Sequence, residues 1–269
     1  MAISKLAVVS PKAELADDVD IGPFCYVGPG VVIGAGTVLH HGVTLMGRTR
    51  LGCGNVVHPN AVVGTPPQDI NYHDEDTCVE LGDNNVVREC VTIHRGSSKE
   101  EGVTRVGNGC YLMACSHVAH DAIVGNNVIF GNNVLVGGHV HVKDGANLNG
   151  GAAVHPFTTV GGLAYIGGLT RIVQDVPPFM IVEGHPSRVR GINSVGMRRA
   201  GVSQEVIEAM AKAYRRIYRR GRPRAEVLNE MDKEGDWPPE VRALCQALHD
   251  SAAGKSGRYR ESLRKRSVE

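Results

Sequence analysis

Counting in sixes from Val9 meets Leu15, Ile21, Val27, Ile33, Leu39, Leu45, Leu51, Val57 and Val63, every one aliphatic. A second series holds Leu81, Val87 and Ile93. A third runs from Val106 through Leu112, Val118, Val124, Phe130, Val136, Val142, Leu148, Val154, Val160 and Ile166 to Ile172. A period of six suits neither an α-helix nor a plain alternating strand. It suits a short strand plus a corner, three of which close a triangular coil of 18 residues with the aliphatic side chain pointing into a narrow prism. Gly often follows the aliphatic residue, as at Gly34, Gly82, Gly107, Gly125 and Gly167, and Asn or Gly crowds the next positions. These residues are expected to supply a positive-φ bend once per hexad. About eight stacked coils give a prism on the order of 40 Å long.

Two polar, turn-rich stretches interrupt the count, near residues 64–79 and 95–105, and are expected to leave the stack as loops on a binding face. The hexads stop after Pro186-Ser187. Ser203 can cap a helix with Val206, Ile207, Met210, Tyr214, Ile217 and Tyr218 on one face. Further helices are expected near Arg224 to Met231 and Pro239 to Ser251, before a frayed basic tail. The chain thus divides into a mainly β domain, residues 1–190, and an α-helical C-terminal domain, residues 191–269.

Composition agrees with a thin aliphatic core: 42% of residues are hydrophobic but only 4% aromatic, and glycines number 34. Lys plus Arg number 29 against 28 Asp plus Glu, so net charge makes no case for nucleic acid. Any such case would have to be local. Lys212, Arg215, Arg216, Arg219, Arg220, Arg222 and Arg224 do crowd the first long helix and its exit, with Arg198 and Arg199 upstream. No aromatic residues interleave with them for base stacking. The seven cysteines form no CxxC pair and read as reduced thiols of a cytoplasmic protein. No apolar run is long enough to span a membrane.

Positions 18 residues apart lie above one another. His139 then falls beside His120, as does His155, with His117 three residues before it, so four histidines from three coils share one edge. An imidazole suits general-base work, and Asp121 could orient it. Backbone N–H groups near Gly137-Gly138 could stabilise an oxyanion. A second reading stays open, because neutral imidazoles also hold metals, and His117, His120, His139 and His141 are numerous enough for a site like that of the γ-class carbonic anhydrases, whose architecture this pattern resembles.

The segments Gln68-Asp69-Ile70-Asn71-Tyr72, VTIHRG (91–96), MACSHVAHDAIVGNN (113–127), GGHV (137–140), AVHPF (153–157), QDVPPFMIVEG (174–184) and GINSVGMRRAGVS (191–203) carry a closer likeness. They resemble the UDP-N-acetylglucosamine O-acyltransferases of lipid A biosynthesis, over about residues 8 to 250. The resemblance implies a left-handed parallel β-helix of hexapeptide repeats with a C-terminal α-helical domain. It implies transfer of an (R)-3-hydroxyacyl group from acyl carrier protein to the glucosamine 3-position of the UDP-sugar. His120 would be the general base, Asp121 its support, and Gly138 N–H the oxyanion donor. Gln68 and Asp69 match the sugar loop, His117, His139 and His155 line the sugar and acyl sites, and Asn193 and Arg199 match nucleotide contacts. No metal is implied, and no cofactor beyond the phosphopantetheine of acyl carrier protein. A homotrimer with sites between subunits is implied as well.

Departures from the family pattern open alternatives. Asn71 replaces the lysine of the usual Asp-Leu-Lys-Tyr, which removes a cation and could suit a 3-amino acceptor, giving an amide. Pro156 stands where glutamine is common, and Val195 where glutamate is. Gly168 aligns with the floor of the acyl groove, where glycine leaves room for a long chain or serves as a corner. The basic residues of the first long helix are expected to steer the acidic carrier protein. A non-catalytic UDP-sugar-binding paralogue is the remaining alternative.

Overall fold

The structure, a computed structural model, describes residues 2–254; the basic tail from Lys255 onward lies outside them. Short strands, most of two residues, recur from Ala2–Ile3 to Arg171–Ile172. Each pairs in parallel with the strand one coil on: Ala2 with Asp20, Val8 with Tyr26, Glu14 with Val32. Three sheets of eleven, nine and eight strands result, beginning at Ala2, Val8 and Glu14 respectively. They form the three faces of a left-handed parallel β-helix.

Residues on neighbouring coils are normally 18 apart, as in the Gly36 N–H to Asp18 bond of 2.9 Å. Across the first loop the offset becomes 30, seen where Cys53 N–H donates to Asp83 at 2.7 Å. Across the second it becomes 25, where Asp83 N–H donates to Asn108, also at 2.7 Å. Both insertions therefore leave the stack and return to it without breaking the ladder.

Every aliphatic position of the six-residue series from Ile21 to Ile172 is buried. Val9 and Leu15 are only partly buried, because the first coil has a neighbour on one side alone. A second buried column stands two residues ahead of the first, at Val19, Cys25, Val31, Val43, Ala61, Ala122, Ala146, Ala152 and Ala164 among others. These positions fill the narrow corners, so small residues dominate. Thr37, Asn55, Asn85 and Cys110 continue that column as a buried ladder: Asn55 N–H donates to Thr37 Oγ1, Asn85 N–H to Asn55 Oδ1 and Cys110 N–H to Asn85 Oδ1.

The positive-φ bend falls among the positions that Asn and Gly crowd, as at Asn127 and Asn133, and not on the glycine directly after the aliphatic residue. It falls three residues before each aliphatic position, at Gly36, Gly42, Asn60, Asn84, Cys90, Cys115, Asp121, Asn127 and His139, for example. The glycines after the aliphatic residue answer to a different need. A Cβ on Gly34 would stand 2.6 Å from the backbone carbon of Gly52, and on Gly107 2.7 Å from that of Gly125. Close approach of coil to coil, rather than a left-handed backbone, excludes side chains there.

The first sheet ends in an antiparallel hairpin, Met180–Glu183 with Arg188–Ile192. Four helices follow: α1 (Ser194–Arg199), α2 (Gln204–Tyr218), α3 (Arg224–Glu234) and α4 (Pro239–Ala252). The Ser203 hydroxyl caps α2 at Val206 N–H. On α2, Ile207, Met210, Ala213, Tyr214 and Ile217 are buried, with Val206 and Tyr218 at the margin of a second core that includes Met180, Met197, Trp237 and Leu244. The charges on α2 and its exit are partly consumed inside this domain. Arg216 pairs with Glu234 and Arg222 with Glu230, while Lys212 and Arg216 lie over the Trp237 ring. Arg198, Arg199, Arg215 and Arg220 stay exposed without an ion-pair partner among the described residues.

Candidate active site

The corner between the second and third sheets carries Asp121, His139 and Phe157 one above another, each in the left-handed conformation of its hexad. The stacking is direct. His139 N–H donates to the His120 carbonyl at 3.1 Å and Phe157 N–H to that of Gly138 at 3.0 Å. The His139 and Phe157 rings are 4.5 Å apart at 15°, and the His120 and His139 rings meet edge-on at 4.9 Å.

His120 Nδ1 lies 2.8 Å from Asp121 Oδ2. A carboxylate oxygen accepts, so Nδ1 carries the proton and Nε2 keeps its lone pair. Asp121 is buried, with further bonds from Ser97 N–H at 2.9 Å and Ser97 Oγ at 2.6 Å; its own N–H donates to Thr104. Burial pushes this carboxyl up, but the bonds from His120 and Ser97 and the field of His139 outweigh it, and Asp121 sits below its ordinary value. The group is therefore an anion at neutral pH. His139 Nδ1 lies 3.3 Å from Glu100 and 3.6 Å from Asp121.

Gly138 faces the His120 ring so closely that a Cβ there would stand 2.8 Å from Cε1 and 2.9 Å from Nε2. Its N–H has no acceptor among the described residues. At the next corner the equivalent N–H groups are capped by an Asn or Asp one coil on, as Asn108 is by Asn126 and Asn126 by Asp144. Above Gly138 stands Pro156, which offers no side-chain acceptor. The Gly138 donor is therefore buried and open beside the His120 ring.

His117 Nδ1 bonds to Thr92 Oγ1 at 2.7 Å, and burial holds its pKa below the ordinary value. His155 Nδ1 bonds to the Pro156 carbonyl at 3.1 Å. Asp69 forms an ion pair with Lys99 and accepts the Asn71 N–H at 2.9 Å; that pair, with the Asn71 bond, takes its carboxyl down to about 2. Gln68 is exposed beside it. Ser98 Oγ to Glu75 at 3.0 Å and Arg95 Nε to Tyr72 at 2.8 Å also join the two loops.

Several residues of this centre have no signal in the 18-residue spacing. Ser97, Lys99 and Glu100 come from the second loop and Thr104 from the strand that closes it, Val103–Val106. His94 is 6% exposed with its ring 4.9 Å from that of His117. Its Nδ1 has no hydrogen-bond partner among the described residues, and burial, then the charges of His117 and His120, hold its pKa at about 4. The 25-residue offset across the second loop hides it from the count.

Other expected residues lie apart. His141 is on the third sheet, paired with Ile123 and Thr159, and lines a cavity of about 1420 Å³ between that sheet and the helices. Within one chain His141 therefore stands apart from His120 and His139. The donor atoms that do converge, within 4.8 Å of one another, belong to His120, Asp121 and His139. Asn193 caps α1 through Gly196 N–H and donates to the Leu163 carbonyl at 2.8 Å, so its amide fixes the helical domain to the prism. Arg199 is exposed at the end of the same short helix. Gly168 is not in a left-handed conformation, and a Cβ there would meet only the Gly150 carbonyl oxygen, at 3.3 Å. It is not a conformational corner glycine.

Comparison with known proteins gives the family. Residues 175–256 match the second domain of the UDP-N-acetylglucosamine O-acyltransferases, and residues 12–47 and 104–138 match the bacterial transferase hexapeptide repeat. The acyl-(acyl-carrier-protein)–UDP-N-acetylglucosamine O-acyltransferase of Saccharophagus degradans is 43% identical over 94% of this chain and 98% of its own. That of Thermodesulfovibrio yellowstonii is 41% identical over the same shares. The crystal structure of the Bacteroides fragilis UDP-N-acetylglucosamine acyltransferase superposes with a TM-score of 0.90 at 38% identity, over 93% of this chain and 97% of its own. The chain is an acyltransferase and belongs to the UDP-N-acetylglucosamine O-acyltransferase family.

Proposed function

We propose that the chain transfers an (R)-3-hydroxyacyl group from the phosphopantetheine thioester of acyl carrier protein to the 3-hydroxyl of UDP-N-acetylglucosamine, with His120 as general base. The observation that carries the mechanism is the pairing of His120 Nδ1 with the buried Asp121 anion, which leaves Nε2 free beside the open N–H of Gly138. Nε2 takes the proton of the sugar hydroxyl as its oxygen bonds to the thioester carbonyl carbon. The resulting oxyanion accepts the Gly138 N–H. When it collapses the carbon–sulfur bond breaks, and the leaving thiolate takes the proton back from the His120 imidazolium, which Asp121 stabilises meanwhile. His120 Nδ1 addresses Asp121, and His139 Nδ1 stands between Glu100 and Asp121, so two carboxylates face the pair of imidazoles, which suits this proton chemistry. His120→Ala is expected to lose about 100-fold or more in kcat while still binding the UDP-sugar; a variant with unchanged kcat rejects the mechanism.

Lys99 supports a hydroxyl acceptor. The cation missing at Asn71 is supplied from the other loop, where the Lys99 ammonium pairs with Asp69 and stays 40% exposed on its side chain. An amine acceptor retaining a proton would meet that charge and be repelled. Asp69, Gln68 and Asn71 hold the sugar in this reading, His117, His139 and His155 line the sugar and acyl sites, and Gly168 floors a long acyl groove. Arg199 reaches the nucleotide. The exposed Arg198, Arg215 and Arg220 draw in the acidic carrier protein. The reading includes a cytoplasmic homotrimer with sites between subunits, supported by Val8, Tyr26 and Leu135, exposed apolar side chains on the outer face of the second sheet.

A further inference from the structure

Cys90 and Cys115 occupy the same left-handed position on adjacent coils, at the corner between the first and second sheets, with φ of 58° and 60°. The column they belong to is regular. Asn60, Cys90, Cys115, Asn133 and Leu169 each donate their N–H to the carbonyl of the coil before, at His41, Pro59, Glu89, Ala114 and Gly150. Such neighbours are about 4.8 Å apart at Cα, inside the range a disulfide bridges.

The side chains of this column lean on one another. A Cβ on Gly42 would stand 3.6 Å from Asn60 Cγ, and one on Gly151 3.7 Å from Leu169 Cγ. Transferred to the cysteine step, the same lean brings the side chain of Cys115 back towards the Cβ of Cys90, so that closing the bond draws the two corners together. Both thiols are exposed and free. Cys53, the third exposed thiol, stands at a different corner, where its N–H meets Asp83. The remaining four are buried or half-buried.

The geometry points to Cys90 and Cys115 as an oxidation site that closes an intrachain disulfide when the protein meets a peroxide. One thiol takes an oxygen from hydrogen peroxide, releasing water and forming a sulfenic acid. The other attacks that sulfur, forming the S–S bond and releasing the second water, so two thiols are oxidised as one peroxide is reduced. The bond ties the coil of His94 to the coil of His117 and His120. It closes a loop that contains Ser97, Lys99 and Glu100, the residues that reach back into the catalytic corner.

The test treats the full chain with hydrogen peroxide and maps thiols by mass spectrometry without reduction. The expected result is loss of two of the seven thiols and one cross-linked peptide pair joining Cys90 and Cys115, lighter by two hydrogens and restored by dithiothreitol. A Tm about 5 °C higher for the oxidised form is expected as well. Cys90→Asn and Cys115→Asn serve as controls, since asparagine already takes this backbone conformation at Asn60 and Asn133; each should abolish the link. Separate oxidation of the two thiols, their persistence as free thiols, or a link to Cys53 or to a second molecule overturns the inference.

Discussion

Gly138 and His120 are in contact across one coil, and a single methyl group on Gly138 would press on the imidazole ring at 2.8 Å. Real Cβ atoms do not approach so closely, and the Gly138 backbone is held in place by the ladder, so the ring must move. The Asp121 bond at 2.8 Å then lengthens or breaks. Gly138→Ala is expected to lower kcat by about 100-fold with little change in Tm, the loss expected when one oxyanion donor or a positioned base is misplaced. Steady-state kinetics beside thermal unfolding check this. A variant with wild-type kcat would separate Gly138 from the chemistry.

His94 makes stability depend on pH in a stated direction. The unfolded chain protonates this histidine near its ordinary value, and the folded chain only near 4. Between those values the unfolded state binds more protons, so stability falls as pH drops from about 6.5 to about 4, by up to about 3 kcal/mol. His117 is shifted in the same direction and adds to the slope. Urea unfolding at several pH values should show His94→Gln with a shallower loss than the native chain. Equal slopes would contradict the assignment.

Lys99 should act on acceptor binding more than on chemistry. Lys99→Gln is expected to raise KM for UDP-N-acetylglucosamine about tenfold, with kcat within a factor of about three. Adding Asn71→Lys should restore KM, because it returns the cation to the same pair of loops beside Asp69. Failure of that second substitution to restore binding would show that Lys99 matters only for holding the loops together.

Gly168 can take a side chain if the Gly150 carbonyl, 3.3 Å from its Cβ position, gives by a few tenths of an ångström. A methionine there would extend from a Cβ whose only near neighbour is that carbonyl, so with that shift the backbone tolerates it and the groove shortens. Each methylene excluded is worth about 0.8 kcal/mol, roughly fourfold, so Gly168→Met should shift preference towards shorter 3-hydroxyacyl chains by tenfold or more. Competition between carrier proteins loaded with different chains measures it. An unchanged preference would remove Gly168 from the acyl groove.

The hexad was legible because one inward aliphatic side chain per face is a packing requirement repeated in every coil. The same regularity made His117, His120 and His139 legible as neighbours, since the 18-residue offset holds unbroken beyond Arg105. Ser97, Lys99, Glu100 and His94 were not legible. Insertions change the offset to 30 and 25, and loop side chains return to the corner through contacts with no period. The glycine and asparagine pattern was legible in part: Asn127 and Asn133 carry the positive φ, while the glycine directly after the aliphatic residue is selected by close coil contact, and both needs favour glycine. Asn193 shows the converse: the likeness marks it as a nucleotide contact, while its bonds to Gly196 and Leu163 depend on how α1 meets the prism.

The most direct test supplies the purified protein with (R)-3-hydroxyacyl-acyl carrier protein and either UDP-N-acetylglucosamine or its 3-amino analogue, and identifies products by mass spectrometry beside His120→Ala. The account predicts a 3-O-acylated UDP-N-acetylglucosamine that is lost in the variant, with turnover of the hydroxyl sugar exceeding that of the amine. Binding of both sugars without an acylated product, or turnover of the amine alone, would contradict it.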